Sequence, residues 1–277
     1  MTAANRAVLV DPGNGDVTLE LGRRYEGDSL VEWASVTKTV TAAAVLVTLA
    51  DRGIPRTTPA RELLPDVPRH AEYTVEDLVR HRSGLPRVHA GMSAGIVGDP
   101  YAGVTDADVT EALQQPTPAP GDREYSNLGY AVLGRLLEHV TQEHWFSVAE
   151  RTVLLPLGIS SGALDPPPER RASLRSWLGR PRDPWSIGSG PYASAGGIWS
   201  TMPDLLRLGT GIERIEPGFL AWDHRDGMTW HSGQSRDAGV CLLRRASVTV
   251  AAHTLGSVPG AADRLAVQRV QGTGAAT

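Results

Sequence analysis

The sequence contains a single lysine, Lys38, whereas all its other basic side chains are arginine. Arginine stays protonated in proteins, but a lysine whose surroundings lower its pKa can lose its proton and act as a base. A composition that uses arginine wherever positive charge suffices therefore indicates that Lys38 does something other than carry charge. We interpret it as a candidate general base.

Cysteine is equally scarce, and the single Cys241 excludes an internal disulfide. It lies in a strand-like run at 239–243, which is typical of a buried small hydrophobic residue. The eight histidines are scattered, with no His-Glu-x-x-His pattern, and no phosphate-binding glycine loop is visible. We therefore predict that the chain uses neither a metal nor a cofactor.

Strong charge and long apolar runs are also missing. The formal net charge is -4 and no basic stripe is visible, which argues against a nucleic-acid partner. The first residues form no apolar signal-like region, and no run of roughly 18 uncharged apolar residues occurs. These features predict a cytoplasmic protein that does not interact with membranes.

The surroundings of Lys38 predict a helix over 36–52, apolar nearly all round and ended by Gly53 with Pro55 beyond. Ser35 stands at its start. Residues three apart share one face of a helix, so the Lys38 amine is expected over the Ser35 hydroxyl. Taken alone, Ser-x-x-Lys is more often a helix cap followed by a surface lysine.

Two further motifs favour the catalytic interpretation of Ser35 and Lys38 over the helix cap. Tyr-Ser-Asn at 125–127 opens a second amphipathic run, and His-Ser-Gly-Gln at 231–234 precedes two strand-like segments. In this order the three motifs resemble those of the serine β-lactamase and penicillin-binding protein superfamily. A tyrosine in the second motif and a histidine in the third are similar to the class C β-lactamase branch, with its D-alanyl-D-alanine carboxypeptidases and family VIII esterases.

The resemblance extends to three connecting segments, 74–86, 156–158 and 195–205. The stretches 156–196 and 204–231 look shorter than is typical of the family. These stretches normally help to wall the substrate site, so the site is expected to be either unusually open or completed by a partner subunit. A homo-oligomer is therefore one of the two alternatives.

The resemblance implies the residue roles. Ser35 would be the nucleophile, and Lys38 with Tyr125 would accept its proton and return it to the leaving group. The remaining residues of the motifs are expected to bind substrate or to form the oxyanion hole. They are Asn127, His231, Ser232, Gly233 and Gln234, with the backbone N–H groups of Ser35 and Gln234 as the oxyanion donors.

The implied fold class is α+β, with an antiparallel sheet built from both termini and a helical lobe inserted between them. Hydrophobic periodicity places strands and helices to match, beginning with a hairpin around Asn14-Gly15. The predicted strands are 7–10, 17–21, 228–231, 239–244 and 247–254, and the predicted helices are 36–52, 75–82, 106–114, 127–140, 143–152, 203–209 and 261–270. We predict one domain over 1–277, with an α/β lobe at about 1–53 and 190–277 and a helical lobe at about 54–189.

Two minor features are an alternative serine motif and the tryptophans. Gly-Met-Ser-Ala-Gly at 91–95 matches the Gly-x-Ser-x-Gly of α/β-hydrolases, which would make Ser93 the nucleophile, but the flanking prolines suit neither a preceding strand nor a following helix. Of the seven tryptophans, Trp199 and Trp230 are expected nearest the site.

The functional prediction is a serine hydrolase that forms an acyl-enzyme on a small-molecule ester or amide, as an esterase, a D-amino-acid peptidase or a β-lactamase-like enzyme does. Two alternatives stay open. One is an acyltransferase of secondary metabolism on the same fold, and the other is a binding protein that kept the fold without catalysis.

Overall fold

The computed structural model describes residues 3–92 and 98–273. Its strands are β1 (Arg6–Asp11), β2 (Thr18–Leu21), β3 (Leu30–Glu32), β4 (Ala163–Leu164), β5 (Ile198–Thr201), β6 (Asp223–Arg225), β7 (Met228–Gln234), β8 (Ala238–Arg245) and β9 (Val248–Leu255). Its α-helices are α1 (Thr37–Asp51), α2 (Ala60–Leu63), α3 (Val75–Val79), α4 (Asp106–Leu113), α5 (Asn127–Thr141), α6 (Trp145–Ala149), α7 (Ala193–Gly196), α8 (Met202–Gly211) and α9 (Ala261–Thr273).

The main sheet has six antiparallel strands in the order β2-β1-β9-β8-β7-β6. The first two come from the beginning of the chain and the other four from its end, so the predicted sheet of both termini is confirmed. Helices α2 to α6 lie between these two parts in sequence, as the predicted inserted lobe requires. The division into two lobes stays a prediction.

The central strands β8 and β9 are buried along nearly their whole length, because both sheet faces are covered. Side chains alternate across a strand, so Cys241 and Leu243 pack with α9 on one face, whereas Val240 and Leu242 join the main core on the other. Cys241 is therefore a buried hydrophobic residue, and burial raises the pKa of its thiol.

Helix α1 runs through the core, which explains why its sequence is apolar on all sides. The stretch Ala34–Asp51 is long and apolar enough to cross a membrane by length and composition, but 72% of it is buried inside the protein. The helix ends at Asp51, and Gly53 follows with φ of 66°. Glycine adopts this left-handed conformation without steric cost, so the predicted glycine stop is confirmed.

A second sheet, in the order β3-β5-β4, was not foreseen from the sequence. Its strands have at most four residues, too few for a readable alternation of side chains. Two predicted helices are also shorter than expected. Helix α3 stops at Val79 because His81 has φ of 58°, and the predicted helix 143–152 becomes α6 followed by a wider π-type turn over Glu150–Leu154.

Helices α5 and α7 touch at Gly134. A Cβ atom at this position would lie 2.5 Å from the Oγ of Ser194 and 2.8 Å from its Cβ. The Ser194 hydroxyl is buried and donates to the Tyr130 carbonyl at 2.9 Å, so it has no space to turn away.

We expect Gly134→Ala to destabilise the protein by about 1–3 kcal/mol, the usual cost of overpacking, although alanine is normally the better helix former. Gly129→Ala is the matched control in the same helix, because its Cβ would meet neighbours at 3.5 Å or more. Urea denaturation of both variants measures the difference. Equal midpoints for the two would contradict the close packing at Gly134.

Candidate active site

Ser35 lies in a short turn that connects β3 to α1. The turn is the 3-10 helix Ala34–Val36, so Ser35 precedes α1 rather than capping it. Ala34 has φ of 42°, a left-handed conformation that costs a residue with a Cβ atom about 1–2 kcal/mol. The chain therefore reverses sharply beside Ser35, whose side chain is only partly buried.

The Ser35 hydroxyl oxygen accepts two hydrogen bonds. The Lys38 amine donates to Ser35 Oγ at 3.2 Å, and the Tyr125 hydroxyl donates to the same atom at 2.5 Å. The structure thus brings together the first motif and the second, which are far apart in sequence. A fourth residue of this cluster, Tyr130, lies with its ring centroid 5.5 Å from the lysine Nζ.

Lys38 is completely buried, so the alternative of a surface lysine is wrong. Its amine also donates to the Ala195 carbonyl at 2.5 Å and lies 5.0 Å from the Tyr125 ring centroid. Burial lowers the pKa of the Lys38 amine because it disfavours the charged form, the Tyr125 hydroxyl opposes this shift, and the Arg87 charge adds to it. A neutral amine can accept a proton from Ser35.

The second motif is held by the turn that follows α3. His81 Nδ1 accepts a hydrogen bond from the Ser126 N–H at 3.0 Å, and the Ser126 hydroxyl donates to the Pro86 carbonyl at 2.7 Å. The His81 ring also packs against Tyr125 at 4.5 Å between centroids. No sequence motif indicates this contact, because only the fold brings His81 against Tyr125.

Asn127 begins α5 and is buried beside Ser35. Its N–H donates to the Arg87 carbonyl at 2.8 Å, and its side-chain Nδ2 donates to the Tyr101 hydroxyl at 3.1 Å. Its Oδ1 is buried without a hydrogen-bond partner among the described residues. An unpaired buried acceptor is costly, so this oxygen is suited to receive a donor from a ligand.

His231 is buried in β7. Its Nδ1 lies 2.9 Å from the Ala221 carbonyl. The pKa of His231 is lowered to about 3, first by burial and then by the Lys38 charge, while the bond to the Ala221 carbonyl opposes the shift. The third motif therefore contributes no positive charge at neutral pH.

The remaining residues of the third motif lie next to Ser35. The Ser232 hydroxyl donates to a carboxylate oxygen of Asp263 in α9, a partner that the sequence did not suggest. A Cβ atom at Gly233 would lie 2.7 Å from both Ser35 N and the Trp33 carbonyl oxygen. Only glycine lets β7 approach this closely, and the approach brings Gln234 to the edge of the site.

Two cavities meet at Ser35. The larger, of about 850 Å³, has aromatic and aliphatic walls that include Tyr101, Trp185 and Ile187. The smaller, of about 220 Å³, is lined by Tyr125, Ser232, Gly233, Gly260 and Asp263. Both share Ser35, Arg87 and Gln234. Trp185 rather than Trp199 or Trp230 lines the larger cavity, so the tryptophan prediction is wrong.

One end of the larger cavity is lined by charged residues, which the sequence did not reveal. Glu32, in β3, is buried, and its carboxylate accepts a hydrogen bond from the Ser235 hydroxyl at 2.8 Å. Burial raises the pKa of Glu32 to about 7, while the Ser235 bond opposes the shift. Arg182 and Arg236 line the same end and both pair with Asp237.

Two further points concern metal ligands and the alternative nucleophile. Across residues 3–92 and 98–273, no three His, Cys, Asp or Glu side chains are grouped as metal ligands would be. Ser93, the alternative nucleophile, lies outside the described residues.

We expect Gly233→Ala to abolish acylation of Ser35, because the added methyl group collides with two backbone atoms beside the nucleophile. Gly27→Ala is the control, since a Cβ atom there meets nothing within 4 Å. Labelling by a fluorophosphonate, with circular dichroism to verify folding, compares the two. A folded Gly233→Ala variant labelled at the wild-type rate would contradict this geometry.

Comparison with known proteins agrees with the geometry. The family model described as Beta-lactamase matches residues 3–239. Unguisins hydrolase ungD from Aspergillus violaceofuscus is 31% identical over 168 residues, 53% of this chain and 28% of that protein. Esterase EstB from Burkholderia gladioli is 29% identical over 262 residues, 79% of this chain and 66% of that protein. The chain thus spans about a quarter and about two thirds of these relatives.

A solved structure from Yersinia pestis, titled Beta-lactamase/D-alanine Carboxypeptidase complexed with citrate, superimposes with a TM-score of 0.76. The match covers 97% of this chain and 92% of that one at 20% identity, and it confirms the predicted fold. Together with the family model, which covers most of the sequence, it confirms the resemblance inferred from the three motifs. This chain belongs to the β-lactamase family.

Proposed function

We propose that this protein is a serine hydrolase that cleaves an ester or amide through an acyl-enzyme on Ser35. The observation that carries the proposal is the convergence of the Lys38 amine and the Tyr125 hydroxyl on Ser35 Oγ. A fully buried lysine bonded to a serine has no structural advantage over an apolar residue, because burying an amine is costly. In a nucleophilic site it supplies the base.

The first step forms a bond between Ser35 Oγ and the substrate carbonyl carbon. The serine proton passes to neutral Lys38, directly or through Tyr125, while the carbonyl electrons move onto the oxygen. The tetrahedral intermediate then expels the leaving group, which takes the proton back from the Lys38 and Tyr125 pair. Water repeats the sequence to release the acid and restore Ser35.

The negative oxygen of the intermediate requires donors. The backbone N–H groups of Ser35 and Gln234 are the candidates, and the close approach that Gly233 permits supports this assignment. A donor of this kind typically contributes about 3 kcal/mol to the transition state. The unpaired Oδ1 of Asn127 would accept an N–H group of the substrate.

Esters and amides are the favoured substrate class, since the geometry needs only a carbonyl and a leaving group. The names of the relatives, an esterase and an unguisins hydrolase, support this class. The larger cavity has room for a bulky, partly aromatic group. Acyl transfer to an amine or alcohol would use the same acyl-enzyme, with the acceptor replacing water.

We expect a fluorophosphonate or an activated acyl donor to label Ser35 and Ser35→Ala to lose both labelling and turnover. Peptide mapping by mass spectrometry locates the label. A label on Ser93 or Cys241 would assign the nucleophile elsewhere. A folded protein with no label at all would favour the binding protein over the enzyme.

We expect Lys38→Arg to be as damaging as Lys38→Ala, a loss on the order of 100-fold to 10,000-fold in kcat/KM, because arginine keeps the charge but cannot act as a base. In the wild type, kcat/KM should fall as pH drops through the lowered pKa of Lys38, since the amine is then protonated. Near-native acylation by Lys38→Arg would show that charge is the requirement.

A further inference from the structure

The two cavities at Ser35 orient the substrate, if Ser35 forms the acyl-enzyme proposed above. The group that returns a proton must lie on the side of the departing atom. Tyr125, which donates to Ser35 Oγ, lines the smaller cavity and does not line the larger one. The leaving group therefore lies in the smaller cavity, and the acyl group lies in the larger cavity.

The polar wall of the smaller cavity is anionic. Asp263 lies in α9, and its carboxylate accepts a hydrogen bond from the Ser232 hydroxyl. A serine hydroxyl has one proton to donate, so Ser232 has none left for a substrate. The wall that runs next to Gly233 and Gln234 thus presents a negative charge and hydroxyl lone pairs, which attract donors and cations.

Arg87 is the one cation that lines the smaller cavity among the described residues. Its guanidinium lies 5.0 Å from the Tyr125 ring centroid, its side chain is exposed, and it forms no ion pair within the described part of the chain. It also borders the larger cavity. Asp263, by contrast, borders only the smaller cavity and is fixed by its bond to Ser232. The charge held in place at the leaving group is therefore negative.

We propose that Asp263 is a specificity-determining residue that selects uncharged and cationic leaving groups and rejects those with a carboxylate beside the scissile bond. The substrate is then an ester, thioester or amide of an uncharged or cationic alcohol, thiol or amine. Peptide bonds inside a chain or ring fit this description. A bond to a C-terminal residue does not, because its free carboxylate would face Asp263.

The test uses three phenylacetyl thioesters that differ only in the thiol. Thiocholine is cationic, 3,3-dimethylbutanethiol is its uncharged isostere and 3-mercaptopropionate is anionic. Thiol release gives kcat/KM for the wild type and for Asp263→Asn. The asparagine side chain can still accept a hydrogen bond from the Ser232 hydroxyl. Each variant's cation-to-anion ratio is compared with that of the wild type, so differences in intrinsic thioester reactivity cancel.

We expect Asp263→Asn to lower the cation-to-anion ratio about tenfold or more, the effect of one unit charge at short range in a partly solvated site. Asp226→Asn is the control for net charge, because Asp226 is exposed and lines neither cavity. It should leave the ratio unchanged. In the wild type, added salt should reduce the cation-to-anion ratio, since ions in an open pocket screen the charge of Asp263.

An unchanged ratio in folded Asp263→Asn would overturn the proposal. So would a wild-type preference for the anion that Arg87→Gln removes, because the pocket charge would then belong to Arg87. If Asp263→Asn does not fold, the wild-type salt dependence decides, and a ratio insensitive to salt refutes the proposal. Absence of turnover and of Ser35 labelling with all three thioesters would instead refute the acyl-enzyme itself, and this proposal with it.

Discussion

The burial of one amine is the constraint on which the rest of this structure depends. Lys38 has no contact with solvent, and its Nζ lies between the Ser35 hydroxyl and the Ala195 carbonyl. A charged amine in such surroundings would be strongly destabilised, so the surroundings themselves favour the neutral form. Lys38 lies in the largely buried helix α1, and α7, which supplies the Ala195 carbonyl, packs tightly against α5 at Gly134.

The site is assembled mainly by backbone contacts between distant segments. The turn after α3 holds the second motif through the Pro86 and Arg87 carbonyls, and β7 reaches Ser35 because Gly233 has no side chain. Backbone contacts fix positions more rigidly than long side chains do, since fewer torsions separate the interacting atoms. A nucleophile, a base and an oxyanion site need this rigidity, because misplacement by about 1 Å is costly.

Much of the fold could be predicted from the sequence, because long segments such as α1, α5, β8 and β9 have hydrophobic patterns that indicate their secondary structure. The contact of Lys38 with Ser35 followed from helical spacing alone. The second sheet was missed because its strands are too short to show a period. The contacts of His81 with Tyr125 and of Asp263 with Ser232 were missed for another reason. They join segments that are remote in sequence, and no local sequence pattern predicts a contact between such segments.

The pairing of β1 with β9 has a consequence for the order in which this protein can become active. Strand β1 finds one of its two neighbours, β9, only after all of the intervening chain has been synthesised. Ser35 and Lys38 leave the ribosome early, but β7 and α9, which complete the wall around Ser35, leave late. Contacts so distant in sequence form slowly and only after the intervening chain has closed a large loop. A nascent or truncated chain therefore carries the reactive pair without the pocket that would give it a substrate.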